Sequence, residues 1–171
     1  MAIDALGPLP VSEIGNRYIL IAMHYFTKWP ETHGLLNQEA ETVAKVLVDQ
    51  FVSHFGTPAQ LHSDQGRNFE SHVFIEMCQL VEIEKTRTTP LHPQSDGMVE
   101  RYNRTSEHQM AMFVNENQKD WDRHISLLLM TYRTATHEST GLTPAKLMMG
   151  RELRVLPDLL KGTPSEPNPS S

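Results

Sequence analysis

Residues 40–66, AETVAKVLVDQFVSHFGTPAQLHSDQG, decide the fold class. Ala40, Val43, Ala44, Leu47, Val48, Phe51, Val52 and Phe55 recur at three-and-four spacing, the period of an amphipathic helix. Asn37 is placed to cap that helix, and Gly56-Thr57-Pro58 stops it. Ala59 to Ser63 then reads as a short strand, closed by the turn sequence Asp64-Gln65-Gly66. A helix that feeds a strand predicts a βα unit and, with it, parallel pairing.

Upstream, Ala2 to Leu6 reads as a short strand broken by Gly7-Pro8-Leu9-Pro10. Tyr18 to Tyr25 is an apolar run of strand length, and a third strand around Thr32 to Leu36 completes an antiparallel meander. Downstream, Val73, Phe74, Met77, Leu80 and Val81 mark a second helix, and Ile83 to Thr88 another strand. Thr89 to Gly97 is a loop with two prolines, and a long helix is predicted from Met98 to about Asn117. A further helix from Asp120 carries Trp121, Ile125, Leu128, Leu129 and Tyr132 on one face, as core or as interface. Thr143-Pro144 starts a last helix and Gly150 stops it. The order β-β-β-α-β-α-β-α-α predicts an α/β fold: a mixed sheet covered by helices on both faces.

Composition sets the outer bounds. The 171 residues, 39% hydrophobic and 21% charged, predict one globular domain over residues 1–160. Residues 161–171, rich in Pro and Ser, are predicted to be a disordered tail. One cysteine excludes a disulfide scaffold and a cysteine-rich zinc site. No apolar run reaches membrane length, and no basic region precedes an apolar stretch at the N-terminus, so an intracellular soluble domain is expected. The net charge of −6, taken alone, argues against a basic nucleic-acid surface.

Metal-assisted phosphoryl transfer needs carboxylates brought together from distant parts of a chain, because Mg2+ prefers oxygen ligands. Asp4 falls in the first strand. Asp64 ends the fourth, where open α/β sheets place their ligands. Glu100 falls in the first turn of the long helix, with 35 residues between it and Asp64. That spacing alone says little, since seven Asp and fourteen Glu supply such a pair readily by chance. The ordinary role of a lone carboxylate is a helix cap or a solvated charge. The sequence around these three singles them out.

His62-Ser63-Asp64-Gln65-Gly66-Arg67-Asn68-Phe69 and the stretch from Thr89 to Arg104, TPLHPQSDGMVERYNR, closely resemble the two signature blocks of retroviral and long-terminal-repeat retrotransposon integrases. The stretch from Ile3 to Pro10 resembles the block around that family's first catalytic aspartate. Tyr25 to Glu31, Tyr132-Arg133, His137 to Gly141 and Thr143-Pro144-Ala145 are similar to the Ty3/gypsy-type branch. The likeness spans residues 2 to 160, with the blocks in the family's order.

The resemblance implies a ribonuclease H-like fold, a five-stranded mixed sheet flanked by helices. It implies the catalytic and metal-binding triad Asp4, Asp64 and Glu100. Two Mg2+ ions, replaceable by Mn2+, would be held about 3.5–4 Å apart, one by Asp64 and Asp4 and the other by Asp4 and Glu100. The implied activity is a polynucleotidyl transferase and endonuclease reaction. Water attacks near the 3′ end of element DNA, and the freed 3′-hydroxyl then attacks target DNA, with no covalent protein intermediate. The 90–97 loop resembles the family's mobile active-site loop, so His92, Gln94 and Ser95 become DNA contacts, with turn chemistry as their alternative role. Arg101, Asn103 and Arg104 are further nucleic-acid candidates, although Arg104, four residues beyond Glu100, can instead pair with it along the helix. The implied partners are element-end and target DNA and a second copy of the chain, without a membrane, in the nucleus.

Three departures stand out. His24 stands where many relatives have Asp, Leu91 stands where Tyr is usual, and Ser106-Glu107-His108 replaces a Leu-plus-basic stretch. The family's His/Cys zinc-binding and C-terminal DNA-binding domains are not among these 171 residues, so the chain is expected to be a core that binds DNA weakly by itself. The opposed expectation is a retroelement-derived protein without integration activity, kept as a nucleic-acid-binding or interaction module. A different nuclease of the same fold, such as a ribonuclease H, fits the Asp64 and Glu100 blocks poorly.

Overall fold

The structure is a computed structural model that describes residues 1–87 and 119–155. Strands β1 (Ala2–Leu6), β2 (Tyr18–Met23) and β3 (Pro30–Leu35) form the expected antiparallel meander. Strands β4 (Gln60–Ser63) and β5 (Glu84–Arg87) extend it in parallel beyond β1, giving the order β3-β2-β1-β4-β5. The apolar run from Tyr18 leaves the sheet at Met23, because His24 enters the turn to β3. That strand begins at Pro30, earlier than its residue pattern suggests.

Helix α1 (Ala40–Val46) continues through a π-helical stretch (Leu47–Val52) into a closing turn (Ser53–Phe55). Gly56, at φ 81°, ends it as expected. Asn37 does not cap it. The helix enters at Glu39 with no side-chain cap, and Asn37 Oδ1 accepts from Glu39 N at 3.0 Å, because the short Asn side chain reaches the backbone two residues ahead. Helix α2 (His72–Leu80) is capped by Ser71, whose Oγ accepts from Phe74 N. Its buried stripe is Phe74 and Cys78, one turn apart. Leu80, 85% exposed, is not part of that stripe, since it lies about 240° around the helix from Phe74. Val73 is exposed as well. Burial pushes the Cys78 thiol up, so it packs as a small apolar group.

Alternation along the central strands makes two cores. Met1, Ile3, Leu20 and Ala22 join Val43, Leu47, Phe51, Phe74 and Cys78 on one face. Ala2, Ile19, Ile21 and Met23 join Trp121, Ile125, Leu128 and Leu129 of helix α3 (Trp121–Thr134) on the other. The apolar face of α3 is therefore core. Its last turn straps the β3 edge. Arg133 donates to Pro30 O through Nη2 (2.7 Å) and Nε (3.2 Å), and its Nη2 pairs with Glu31 at 2.7 Å. The guanidinium stacks 4.0 Å from the centre of the buried Trp29 ring. Thr143 caps helix α4 (Pro144–Met149), and Gly150 ends it at φ 74°. The predicted loop at 89–97, the long helix from Met98 and the tail at 161–171 lie outside the described residues.

Candidate active site

Parallel pairing of β1 and β4 sets Ala2 level with His62. Two residues further along each chain stand Asp4, in the middle of β1, and Asp64, the residue that follows the end of β4, so the two aspartates come from adjacent parallel strands. Both line one cavity of about 480 Å³. Asp4 is half-buried and its Oδ1 accepts from Ala5 N at 2.7 Å. Asp64 is exposed and its Oδ1 accepts from Gly66 N at 3.0 Å. A backbone N–H on one oxygen fixes the rotation of each carboxylate.

Gln38 and Glu39 at the entry to α1, and Gly66, Arg67, Asn68 and Ser71, help complete the wall. Gly66 leaves room for two side chains of the site. A Cβ there would stand 2.7 Å from Asn68 Oδ1 and 3.0 Å from Asp64 Oδ1. The turn holds itself in shape: Gly66 O accepts from Phe69 N and Glu70 N, and Ser71 Oγ donates to Asn68 O. Asn68 Nδ2 is buried without a hydrogen-bond partner among the described residues. The donor set here, two oriented carboxylates and amide and hydroxyl oxygens, is the hard-oxygen set that suits Mg2+ or Mn2+. Among the described residues no group of three Asp, Glu, His or Cys could hold a metal ion.

Of the expected site residues, the structure brings Asp4 and Asp64 together. Glu100, His92, Gln94, Ser95, Arg101, Asn103 and Arg104 lie outside the described residues. Gln38, Glu39, Arg67, Asn68 and Ser71 had no site role on sequence grounds. Ser71 three residues before Phe74 is a legible helix cap, but nothing local says that this cap faces Asp4. His24 serves the β2–β3 turn, at the end of β2 away from the cavity. Its Nδ1 accepts from Thr27 N at 3.3 Å and lies 2.9 Å from Thr27 Oγ1, the contacts an Asp side chain makes in such a turn.

A model of the integrase core domain family matches residues 1–93, a span that contains both aspartates. The chain is 27% identical over 151 residues to the retrovirus-related Pol polyprotein from transposon 412 of Drosophila melanogaster, covering 88% of this chain and 12% of that one. It is 32% identical over 154 residues to the Pol polyprotein of feline endogenous virus ECE1, covering 90% and 15%. The chain thus spans a small part of the curated relatives it matches. Among solved structures, the catalytic core domain of BIV integrase superposes with a TM-score of 0.67 at 25% identity, over 87% of this chain and 92% of that one. A chain of the simian T-cell lymphotropic virus intasome, solved with PP2A regulatory subunit B56 gamma, shares the fold at TM-score 0.73 and 18% identity, over 90% and 55%. The five-stranded mixed sheet is therefore the ribonuclease H-like architecture of those cores. Because the family match runs through both aspartates and across more than half of the 171 residues, this chain belongs to the integrase core domain family.

Proposed function

We propose that this chain is the catalytic core of a DNA integrase, a divalent-metal-dependent polynucleotidyl transferase that processes the 3′ ends of retroelement DNA and joins them to target DNA. The observation that carries this is that Asp4 of β1 and Asp64, just beyond the neighbouring parallel strand β4, line one cavity. Asp4, Asp64 and Glu100 are the residues that would hold two Mg2+ ions, or Mn2+ in their place. When bound, such ions activate the attacking oxygen and neutralise charge on the leaving one.

The chain's own groups do the rest. Backbone N–H groups of Ala5 and Gly66 hold the two carboxylates in rotation, so little reorganisation is needed when a substrate arrives. Arg67 on the cavity wall offers a cation to a phosphate close to the carboxylates. The buried, high-pKa Cys78 is no nucleophile, in keeping with direct attack by water or a 3′-hydroxyl. His92, Gln94, Ser95, Arg101, Asn103 and Arg104 are proposed DNA contacts, the core is proposed to span 1–160, and a homo-oligomer acting in the nucleus is the expected working form.

A disintegration assay on branched DNA with Mn2+ or Mg2+ tests the proposal. Wild-type cleavage that falls to background in Asp64→Asn supports it. Folded wild-type protein without activity selects the opposed reading, a retroelement-derived binding module, which the net charge of −6 favours.

A further inference from the structure

Glu70 stands just outside the cavity, six residues beyond Asp64, and both of its oxygens are engaged. Oε1 accepts from Lys85 Nζ and Oε2 from Arg87 Nη2, each at 2.6 Å. Lys85 is nearly buried, its side chain 9% exposed, so this is more than a surface ion pair. Lys85 and Arg87 are alternate residues of β5, level with Leu61 and Ser63 of β4. Arg87 is thus the β5 neighbour of the residue that precedes Asp64.

The excursion from Asp64 to Ser71 is fastened at three places. It leaves β4 at Asp64, enters α2 at the Ser71 cap, and is tied to β5 by Glu70. Between those points Phe69 is buried edge-on against Phe74, 5.5 Å between ring centres, and the Gly66 carbonyl takes two backbone N–H groups. A turn that is internally rigid moves as one piece, so the Glu70 tie sets its tilt over the end of the sheet. Asp64, Asn68 and Ser71 ride on that piece, whereas Asp4 belongs to β1.

We infer that Glu70 is a positioning residue for the candidate active site: by accepting from Lys85 and Arg87 it fixes the Asp64-bearing turn relative to Asp4, and so the geometry of the carboxylate pair. The inference rests on the metal-dependent function proposed above. It predicts that loosening Glu70 weakens metal binding at a place Glu70 does not touch.

The test is Mn2+ titration of the full chain by calorimetry, at a temperature where every variant is folded. Thermal unfolding is recorded alongside. Glu70→Ala should weaken Mn2+ affinity roughly 10-fold, the lower end for residues that orient metal ligands. Arg87→Ala, which removes only the exposed arm, should weaken it to a smaller extent and serves if Glu70→Ala does not fold. Arg133→Lys, at the opposite edge of the sheet, should lower thermal stability while leaving affinity within about twofold. Wild-type affinity in folded Glu70→Ala or Arg87→Ala overturns the inference and leaves the function intact, as does an equal loss in Arg133→Lys. Wild-type protein whose Mn2+ binding is absent or unaffected by Asp64→Asn overturns both.

Discussion

Replacing Arg133 tests how the sheet edge opposite β5 is held. Its guanidinium makes a charge-assisted fork on Pro30 O, pairs with Glu31, and stacks 4.0 Å from the Trp29 ring centre. The side chains of Arg133 and Glu31 are 18% and 14% exposed, so the pair is only weakly screened. The ion pair and the fork together contribute about 2–3 kcal/mol, typical of hydrogen bonds to charged groups. The stacking adds about 1 kcal/mol. Arg133→Ala should therefore cost about 3–4 kcal/mol, roughly 10 °C in Tm for a domain of this size. Glu31 keeps its bond from Trp29 Nε1 at 2.7 Å, which stops the penalty from growing further. Arg133→Lys keeps a point charge for Glu31 but loses the fork and the stacking, so about half of that loss is expected. Urea unfolding followed by circular dichroism measures both. A lysine variant as stable as wild type, or an alanine variant within about 0.5 kcal/mol of it, would show that Arg133 merely decorates the edge.

Three further outcomes follow from the geometry. Gly66→Ala must push a Cβ against Asn68 Oδ1 and Asp64 Oδ1, so disintegration should fall at least roughly 10-fold while the fold survives; an active variant would refute the crowding argument. Burial, more than the nearby N-terminal and Lys28 charges, holds His24 below its ordinary 6.5, so the unfolded chain binds the extra proton first. Stability from a neutral His24 is present above pH 6.5 and drains as pH falls, whereas His24→Asp should keep the turn contacts and flatten that slope between about pH 7.5 and about pH 5.5, read as urea midpoints. The Lys85 hydrogen bond, with both neighbouring cations, holds Glu70 below its ordinary 4.5, so its contribution is full above that value and lost as pH falls through the lower folded one. Glu70→Gln should accordingly show a shallower acid limb than wild type, and an unchanged limb would mean that the pair contributes nothing to folding.

Much of the fold is legible in short stretches because its causes are local. Helix α3 is announced by Trp121, Ile125, Leu128 and Leu129 at helical spacing, and α4 by Thr143, Pro144 and Gly150 acting as cap, first turn and stop. Where local signals compete, legibility drops. Asn37 satisfies a backbone group before the helix rather than its first turn, and Leu80 looks apolar enough for the core yet lies on the wrong side of α2. At the site, Asp4 and Asp64 stand out through the blocks around them. Arg67, Asn68 and Ser71 do not, because their role comes from what the turn faces once it is folded.

By itself the sequence determined the order of the described strands and helices and the mixed sheet, since periodicity, caps and turn residues act within a few positions, and it was the resemblance of the blocks around Asp4 and Asp64 to integrases that singled out those two aspartates. The tertiary structure alone decided that Ala2 lies level with His62 and that Asp4 and Asp64 line one cavity. It alone tied Glu70 to β5 and carried Arg133 around the edge of β3. Those relations join residues far apart in the chain, and a register or an ion pair between distant segments is set by packing of the whole sheet, which no local pattern encodes.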